Sequence, residues 1–160
     1  MINGLMHDHI AKFMSKHRLP AGLRLFVVRN DGLLVWDGKP DAQSQALAAL
    51  CSGVWEAAKA MAQAGGQLKL DEFRFVFDST DKGVVIFPVK GEGQPFFLSA
   101  IYDGCVNPAL LKRQVQVLGE KLSTHIASLP RQVRPPQQSQ RQGFLFTDIS
   151  DDEMDRLFGV

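Results

Sequence analysis

Cysteine is scarce in this chain of 160 residues, which holds only Cys51 and Cys105. There is no Cys-x-x-Cys pair and no zinc-ligand spacing, so the sequence offers neither a disulfide framework nor a structural metal site. Long apolar runs are missing too: no stretch approaches the ~20 residues that a membrane helix needs. The first residues contain no apolar core ahead of a small-residue cleavage site, so no signal peptide is expected and a reducing cytoplasm is the expected compartment. Charge of one sign is also lacking. The formal net charge is +1, which gives no general attraction to nucleic acid or to an anionic membrane. The basic residues Arg18, Lys59, Lys69, Lys112, Arg113 and Lys121 are scattered along the chain rather than grouped, and nucleic-acid binding is not expected.

What the chain does have is apolar mass. Hydrophobic residues make up 45% of it and charged residues 22%, enough for one domain that buries roughly two-thirds of its unfolded surface.

Residues 2–17 predict an amphipathic helix, with Ile2, Leu5, Met6, Ile10, Phe13 and Met14 at helical spacing, closed by the Pro-Ala-Gly stretch 20–22. In "LRLFVVRNDGLLVWDGK", two β-rich runs flank Asn30-Asp31-Gly32 and predict a hairpin. A long helix follows, with Asp41 as the expected N-cap and Gly65-Gly66 at its end. Its expected core stripe is Leu47, Leu50, Val54, Ala58 and Met61. A second stripe of small residues runs through Ala46, Ala49, Gly53, Ala57 and Ala60. That stripe suits close packing either on the protein's own sheet or on a second subunit.

Three further strands are expected. "LKLDEFRFVFD" puts Phe73, Phe75 and Phe77 on one face, while Leu68 and Leu70 have the opposite parity, so a bulge is expected near Asp71-Glu72. "GVVIFPVK" and "PFFLSAIYD" pair through "GEGQ", with Pro88 confined to a strand end, an edge or a bulge. Asn107-Pro108 then starts a last helix with Leu111, Val115, Leu118, Leu122, His125/Ile126 and Leu129 along one face, stopped by Pro130. The resulting order, α-β-β-α-β-β-β-α, predicts an α+β sandwich with one five-stranded antiparallel sheet and helices packed on it.

No reaction is announced. His7 and His9 are not spaced as a helical ligand pair, and no Cys or carboxylate joins them, so no metal or cofactor is expected. Ser99 and Ser123 lack a nucleophile elbow, Cys105 and His125 are not placed together by anything in the sequence, and "GEGQP" is not a phosphate loop. Trp36 and Trp55 suit either the core or an interface.

The hairpin "LFVVRNDGLLVW", the helix "ALAALCSGVWEAAKAMA" and the strands "FRFVFDSTDKGVVIFPV" resemble the roadblock/dynein light chain family over residues 5–128. The resemblance implies a homodimeric or heterodimeric module without an active site, joined through the strand after the central helix. Arg74 and Val76 on that strand would then lie at the dimer interface beside the small-residue stripe. It also implies partners among Ras-like small GTPases or trafficking complexes, as for bacterial MglB-type polarity regulators.

The domain organisation is expected to be a folded unit over 1–129, a flexible Pro/Gln/Arg linker over 130–143, and a binding segment over 144–160. The linker is nearly devoid of apolar side chains and does not repay the entropy of ordering. The last segment is different in kind, with five acids against one arginine. Ser150 and Glu153 form a capping box, Ile149 and Met154 a hydrophobic staple, and Met154, Leu157 and Phe158 an apolar face. A helix of about ten residues is marginal alone and forms against a groove. Phe144 and Phe146 in "GFLF" add an extended anchor. "ISDDEMDRL", through Ile149, Ser150, Glu153, Met154, Asp155 and Leu157, is also similar to the N-terminal segment of the flagellar motor-switch protein, which binds a phosphorylated response regulator. A response regulator, another protein, and the chain's own domain or dimer mate are all open as its target.

Overall fold

The computed structural model describes residues 2–66, 69, 73–91, 95–104 and 107–129. The chain divides into two units, Met1–Leu129 and Pro130–Val160; the binding segment expected over 144–160 lies outside the described residues, as do Cys105 and the expected bulge at Asp71-Glu72.

The elements run α1 (Ile2–Met14), β1 (Leu23–Arg29), β2 (Leu34–Asp37), α2 (Ser44–Ala64), β3 (Phe75–Asp78), β4 (Lys82–Val89), β5 (Phe96–Asp103) and α3 (Pro108–Ser128). They form the expected α+β arrangement, with one antiparallel sheet of order β2-β1-β5-β4-β3. The strand directions follow from short connections, and the crossover by α2 carries the chain from one edge of the sheet to the other.

Alternation along the strands sends side chains to two cores. One face, built from Leu25, Val27, Val85, Leu98 and Ala100, packs against Ile10 and Met14 of α1 and Leu111, Val115, Leu122 and Ile126 of α3. The opposite face presents Phe26, Val28, Ile86 and Phe97 to Ala48, Cys51 and Trp55 of α2. Each such large side chain that leaves water contributes roughly 1.5–3 kcal/mol.

The hairpin turns as Asn30-Asp31-Gly32 requires. Gly32 takes φ +83°, its N–H donates to Arg29 O, and Arg29 N–H donates to Leu33 O. This is a type I turn closed by a left-handed glycine. Gln45 Nε2 and Ser52 Oγ of α2 donate to the Gly32 and Asn30 carbonyls at 2.8 and 2.5 Å, which fixes the rotation of α2 about its axis. At α3 the expected cap is present: Asn107 Oδ1 accepts from Ala109 and Leu110 N–H, and Pro108 occupies the first turn. Pro88 lies in β4 beyond the residues that pair with β3, next to the strand end at Val89.

Four expectations are corrected. Regular α1 ends at Met14 rather than at 17: Ser15 N–H still donates to Ala11 O, but Lys16 and His17 tighten into i→i−3 bonds to the Phe13 and Met14 carbonyls. Asp41 does not cap α2; the cap position is Gln43, without a side-chain bond. The Asp41 carboxylate instead accepts from Gln43 N–H at 2.8 Å and from Arg24 at 2.9 Å. Leu50, Val54 and Met61 are not core: they are 64%, 38% and 77% exposed, and α2 buries Ser44, Ala48, Cys51, Ser52 and Trp55 instead. Finally, β3 begins at Phe75, so Arg74 precedes the strand, and its guanidinium donates to Gln116 of the protein's own α3.

Candidate interaction surface

The feature that most needs a function is the outer side of α2. This 21-residue helix carries only Glu56 and Lys59 as charges, and those two pair with each other at 3.1 Å. Ala46, Ala49, Gly53, Ala57 and Ala60 are all exposed, so the small-residue stripe does not pack on the protein's own sheet. A Cβ at Gly53 would meet nothing within 4 Å; nothing inside the chain requires a glycine there. Leu50, Val54 and Met61 flank the stripe. The result is a helix surface of small side chains, without net charge, that lets another backbone approach closely.

At the end of the sheet, among the described residues, β3 hydrogen-bonds only to β4 and no strand pairs with its other side. Phe77 is 74% exposed, Phe73 39% and Val76 36%. Of ten exposed large apolar side chains among the described residues, six belong to α2 or to residues 73–77. An uncovered edge strand with apolar side chains invites pairing with another chain, and contiguous apolar exposure of this kind marks a protein interaction site.

The alternation of Phe73, Phe75 and Phe77 on one face is seen, but only Phe75 reaches the core beneath α2. Trp55, expected on either side, lies under α2 against Phe97, ring centroids 5.0 Å apart. Trp36 packs partly buried on the other core. A cleft of about 40 Å³ beside Trp55 and Phe73 is too small for a metabolite.

Two polar clusters hold the scaffold of this surface, and sequence reasoning missed both. Arg24 of β1 donates from Nη2 to Asp37 Oδ2 at 2.6 Å, from Nη1 to Asp41 Oδ2 at 2.9 Å and from Nη2 to Ser44 Oγ at 2.9 Å. It thereby joins the sheet to the entry of α2. Burial pushes the Asp37 carboxyl up, but bonds from Arg24, the Lys39 N–H and Ser44 outweigh it and hold it below the usual range. At the far end, Asp78 of β3 accepts from Lys112 Nζ at 2.6 Å and from Tyr102 Oη at 3.1 Å. Gly83 makes this crossing feasible, since a Cβ there would stand 2.6 Å from Tyr102 Oη. A lone Arg or Tyr in a strand gives no hint of such partners, which lie 13 to 24 residues away.

The candidate chemical groups are occupied structurally. His125 stacks on Phe13 at 4.8 Å, and His17 Nδ1 donates to Phe13 O at 3.0 Å. Among the described residues His7 meets only Asp8, at 3.8 Å on the surface. Among the described residues no three His, Cys, Asp or Glu side chains are grouped to hold a metal. Cys51 is buried, and burial raises its thiol pKa, with Ser99 offsetting part of the rise. Among the described residues no helix is long and apolar enough to cross a membrane.

A five-stranded antiparallel sheet of order 2-1-5-4-3, with α2 alone on one face and α1 with α3 on the other, is the roadblock fold. Residues 23–94 match the model of the Roadblock/LC7 domain. Solved structures agree. Myxococcus xanthus MglB is 14% identical, with 82% of this chain and 94% of that one covered at a TM-score of 0.59. The gliding protein MglB from Thermus thermophilus is 17% identical, covering 78% and 93% at 0.60. An MglB in a tetrameric arrangement is 14% identical, covering 78% and 90% at 0.55. No curated protein matches the chain in sequence.

Proposed function

We propose that the chain is a non-catalytic dimeric regulator or scaffold for a Ras-like small GTPase, acting in the cytoplasm of a bacterium in polarity or motility. The observation that carries this reading is the outer face of α2, built of small and apolar side chains without net charge, beside a β3 edge that no described strand covers. Two copies, or this chain and a related roadblock protein, pair there through Ala46, Ala49, Gly53, Ala57, Ala60 and Val76, with Arg74 at the rim. The likeness to MglB supports the GTPase as partner. The dimer holds or reshapes the switch regions of the GTPase without contributing a reacting group of its own.

A second reading is favoured by the sequence "ISDDEMDRL": an adaptor that recruits a receiver-domain or motility protein through Phe144, Phe146, Ile149, Ser150, Glu153, Met154, Asp155, Leu157 and Phe158, indifferent to any GTPase. Nucleotide dependence separates the two. Partners are captured from native cytoplasm on the full chain, with GDP or a non-hydrolysable GTP analogue present. A GTPase retained in one nucleotide state supports the regulator; a receiver-domain protein retained equally in both supports the adaptor.

A further inference from the structure

On the face of the sheet away from α2, a cleft of about 440 Å³ opens between α3 and the connection from α1 to β1. Its floor is apolar and buried, made by Leu23 and Leu25 of β1 with Val115 and Leu118 of α3. The exposed side chains of Leu110 and Val117 extend that floor outward. The charges that line the cleft have one sign. Arg18 comes from the connection and Arg113 and Lys121 from α3, and among the described residues no acidic side chain joins them. All three cations are exposed, and among the described residues none has an ion-pair partner. The fold thus gathers three unneutralised cations over an apolar floor, on a chain whose net charge is only +1.

Dimensions decide what fits. The volume lies in the range of about 300–1,000 Å³ that holds a small molecule. Two turns of α-helix with their side chains fill roughly 1,000 Å³, more than twice the cleft. The backbone at the floor is already engaged: Leu23 N–H donates to Pro20 O, Leu25 O accepts from Gly38 N–H, and β5 pairs with both residues from the other side. An extended peptide therefore meets no open strand edge on β1 there. A slim, flexible apolar chain meets neither obstacle. It needs a negative group at one end, because the floor side chains form no hydrogen bonds and the polar groups that do are mainly cations.

We propose that this cleft binds a free, single-chain anionic amphiphile of the class of a medium- or long-chain carboxylic acid. The chain lies on Leu23, Leu25, Val115 and Leu118, and the carboxylate sits among Arg18, Arg113 and Lys121. Two of the three cations are arginines, whose planar fork matches a carboxylate through two parallel N–H bonds. The floor belongs to the core on the α1 and α3 side of the sheet, whereas α2 covers the other side. A dimer formed through α2 leaves the cleft uncovered. The proposal rests on neither the dimer nor the GTPase, and the failure of either leaves it standing.

Titration of the full chain with sodium decanoate, well below the concentration at which it forms micelles, tests it through amide nuclear magnetic resonance shifts. Shifts should concentrate at residues 17–25 and 110–121 and give a dissociation constant on the order of 0.1 mM. Each methylene that enters the cleft tightens binding about threefold, so hexanoate, four methylenes shorter, should bind roughly 100-fold more weakly. Arg113→Glu/Lys121→Glu should weaken decanoate about tenfold or more with an unchanged circular dichroism spectrum, while Arg113→Lys/Lys121→Arg should retain binding. Decyltrimethylammonium, with the same chain and the opposite charge, should show the reverse preference, binding the glutamate variant more tightly than the native chain. Decanoate binding that ignores chain length, or that is equal in the native and glutamate chains, overturns the proposal. Absence of decanoate binding up to about 1 mM overturns it as well. If the chain then floats with vesicles of phosphatidylcholine and phosphatidylglycerol, the basic cleft belongs to a membrane surface instead.

Discussion

Replacing Arg24 with methionine should invert the way stability responds to pH. The substitution keeps most of the apolar stem of Arg24 and removes the guanidinium that joins Asp37, Asp41 and Ser44. The Asp37 side chain is 2% exposed and that of Arg24 17%, so the pair belongs with the buried ones, whose breakage by loss of one partner costs about 3–5 kcal/mol. Asp37 still accepts from Lys39 N–H at 2.8 Å, and Asp41 is half exposed and adds little. The expected loss at neutral pH is therefore about 2–3 kcal/mol. In the native chain the carboxyl of Asp37 is held below its ordinary value, since the bonds from Arg24, Lys39 N–H and Ser44 exceed the upward push of burial. Its contribution is fully present above the unfolded pKa of about 3.9 and fades as pH falls through the lower folded one. Without Arg24, burial, the largest single influence, is opposed only by the Lys39 N–H and Ser44, and the folded pKa should rise above the unfolded one. Ionisation of Asp37 then costs stability as pH rises past about 4. Urea unfolding at fixed chain concentration, between about pH 3.5 and pH 7, should show the gap between the two proteins widening with pH. A gap below about 1 kcal/mol, or one that stays constant with pH, would refute the reasoning.

Three shorter expectations follow from the same geometry. Gly83→Ala pushes a Cβ to 2.5 Å from Asp78 Cβ and 2.6 Å from Tyr102 Oη, and thermal melts should show a loss of about 1–3 kcal/mol. Tyr102 is the single tyrosine, and burial first, then the bond to Asp78, raises its pKa. An ultraviolet titration should place it above the ordinary value of about 10, with Asp78→Asn lowering it only part of the way. Because the folded pKa is the higher one, stability should fall as pH climbs past the unfolded value. Gly53→Ala should raise the helix stability of the isolated chain by about 1 kcal/mol and, in sedimentation experiments, weaken self-association, since the added methyl projects into the small-residue face.

Where local chemistry decides, the sequence was readable. Asn107-Pro108 can only be a helix start and Asn30-Asp31-Gly32 a turn, and both stand as expected. The strand order also follows from short links. The side of α2 that turns inward was not readable, and the reason is physical: a helix with two charges in 21 residues has apolar groups all round. Leu50, Val54 and Met61 look like core by size, yet Gln45 and Ser52 anchor the helix to the hairpin and turn them outward. Trp55, the bulkiest group on α2, was the signal that marked the buried side. Asp41 looked like a cap because caps are local, whereas its strongest partner, Arg24, comes from a strand 17 residues earlier. The gathering of Arg18, Arg113 and Lys121 escaped notice for the same reason, since only the fold brings α3 beside the end of α1.

The account stands or falls on the outer face of α2 as an association surface. Sedimentation velocity of the full chain against Val54→Glu, which puts a charge beside the small-residue stripe of that face, measures this most directly. The native chain should sediment at twice the monomer mass across a range of concentrations. Val54→Glu should sediment as a monomer with an unchanged circular dichroism spectrum. A native chain that stays monomeric at every concentration, or a dimer that the glutamate leaves intact, would contradict the account.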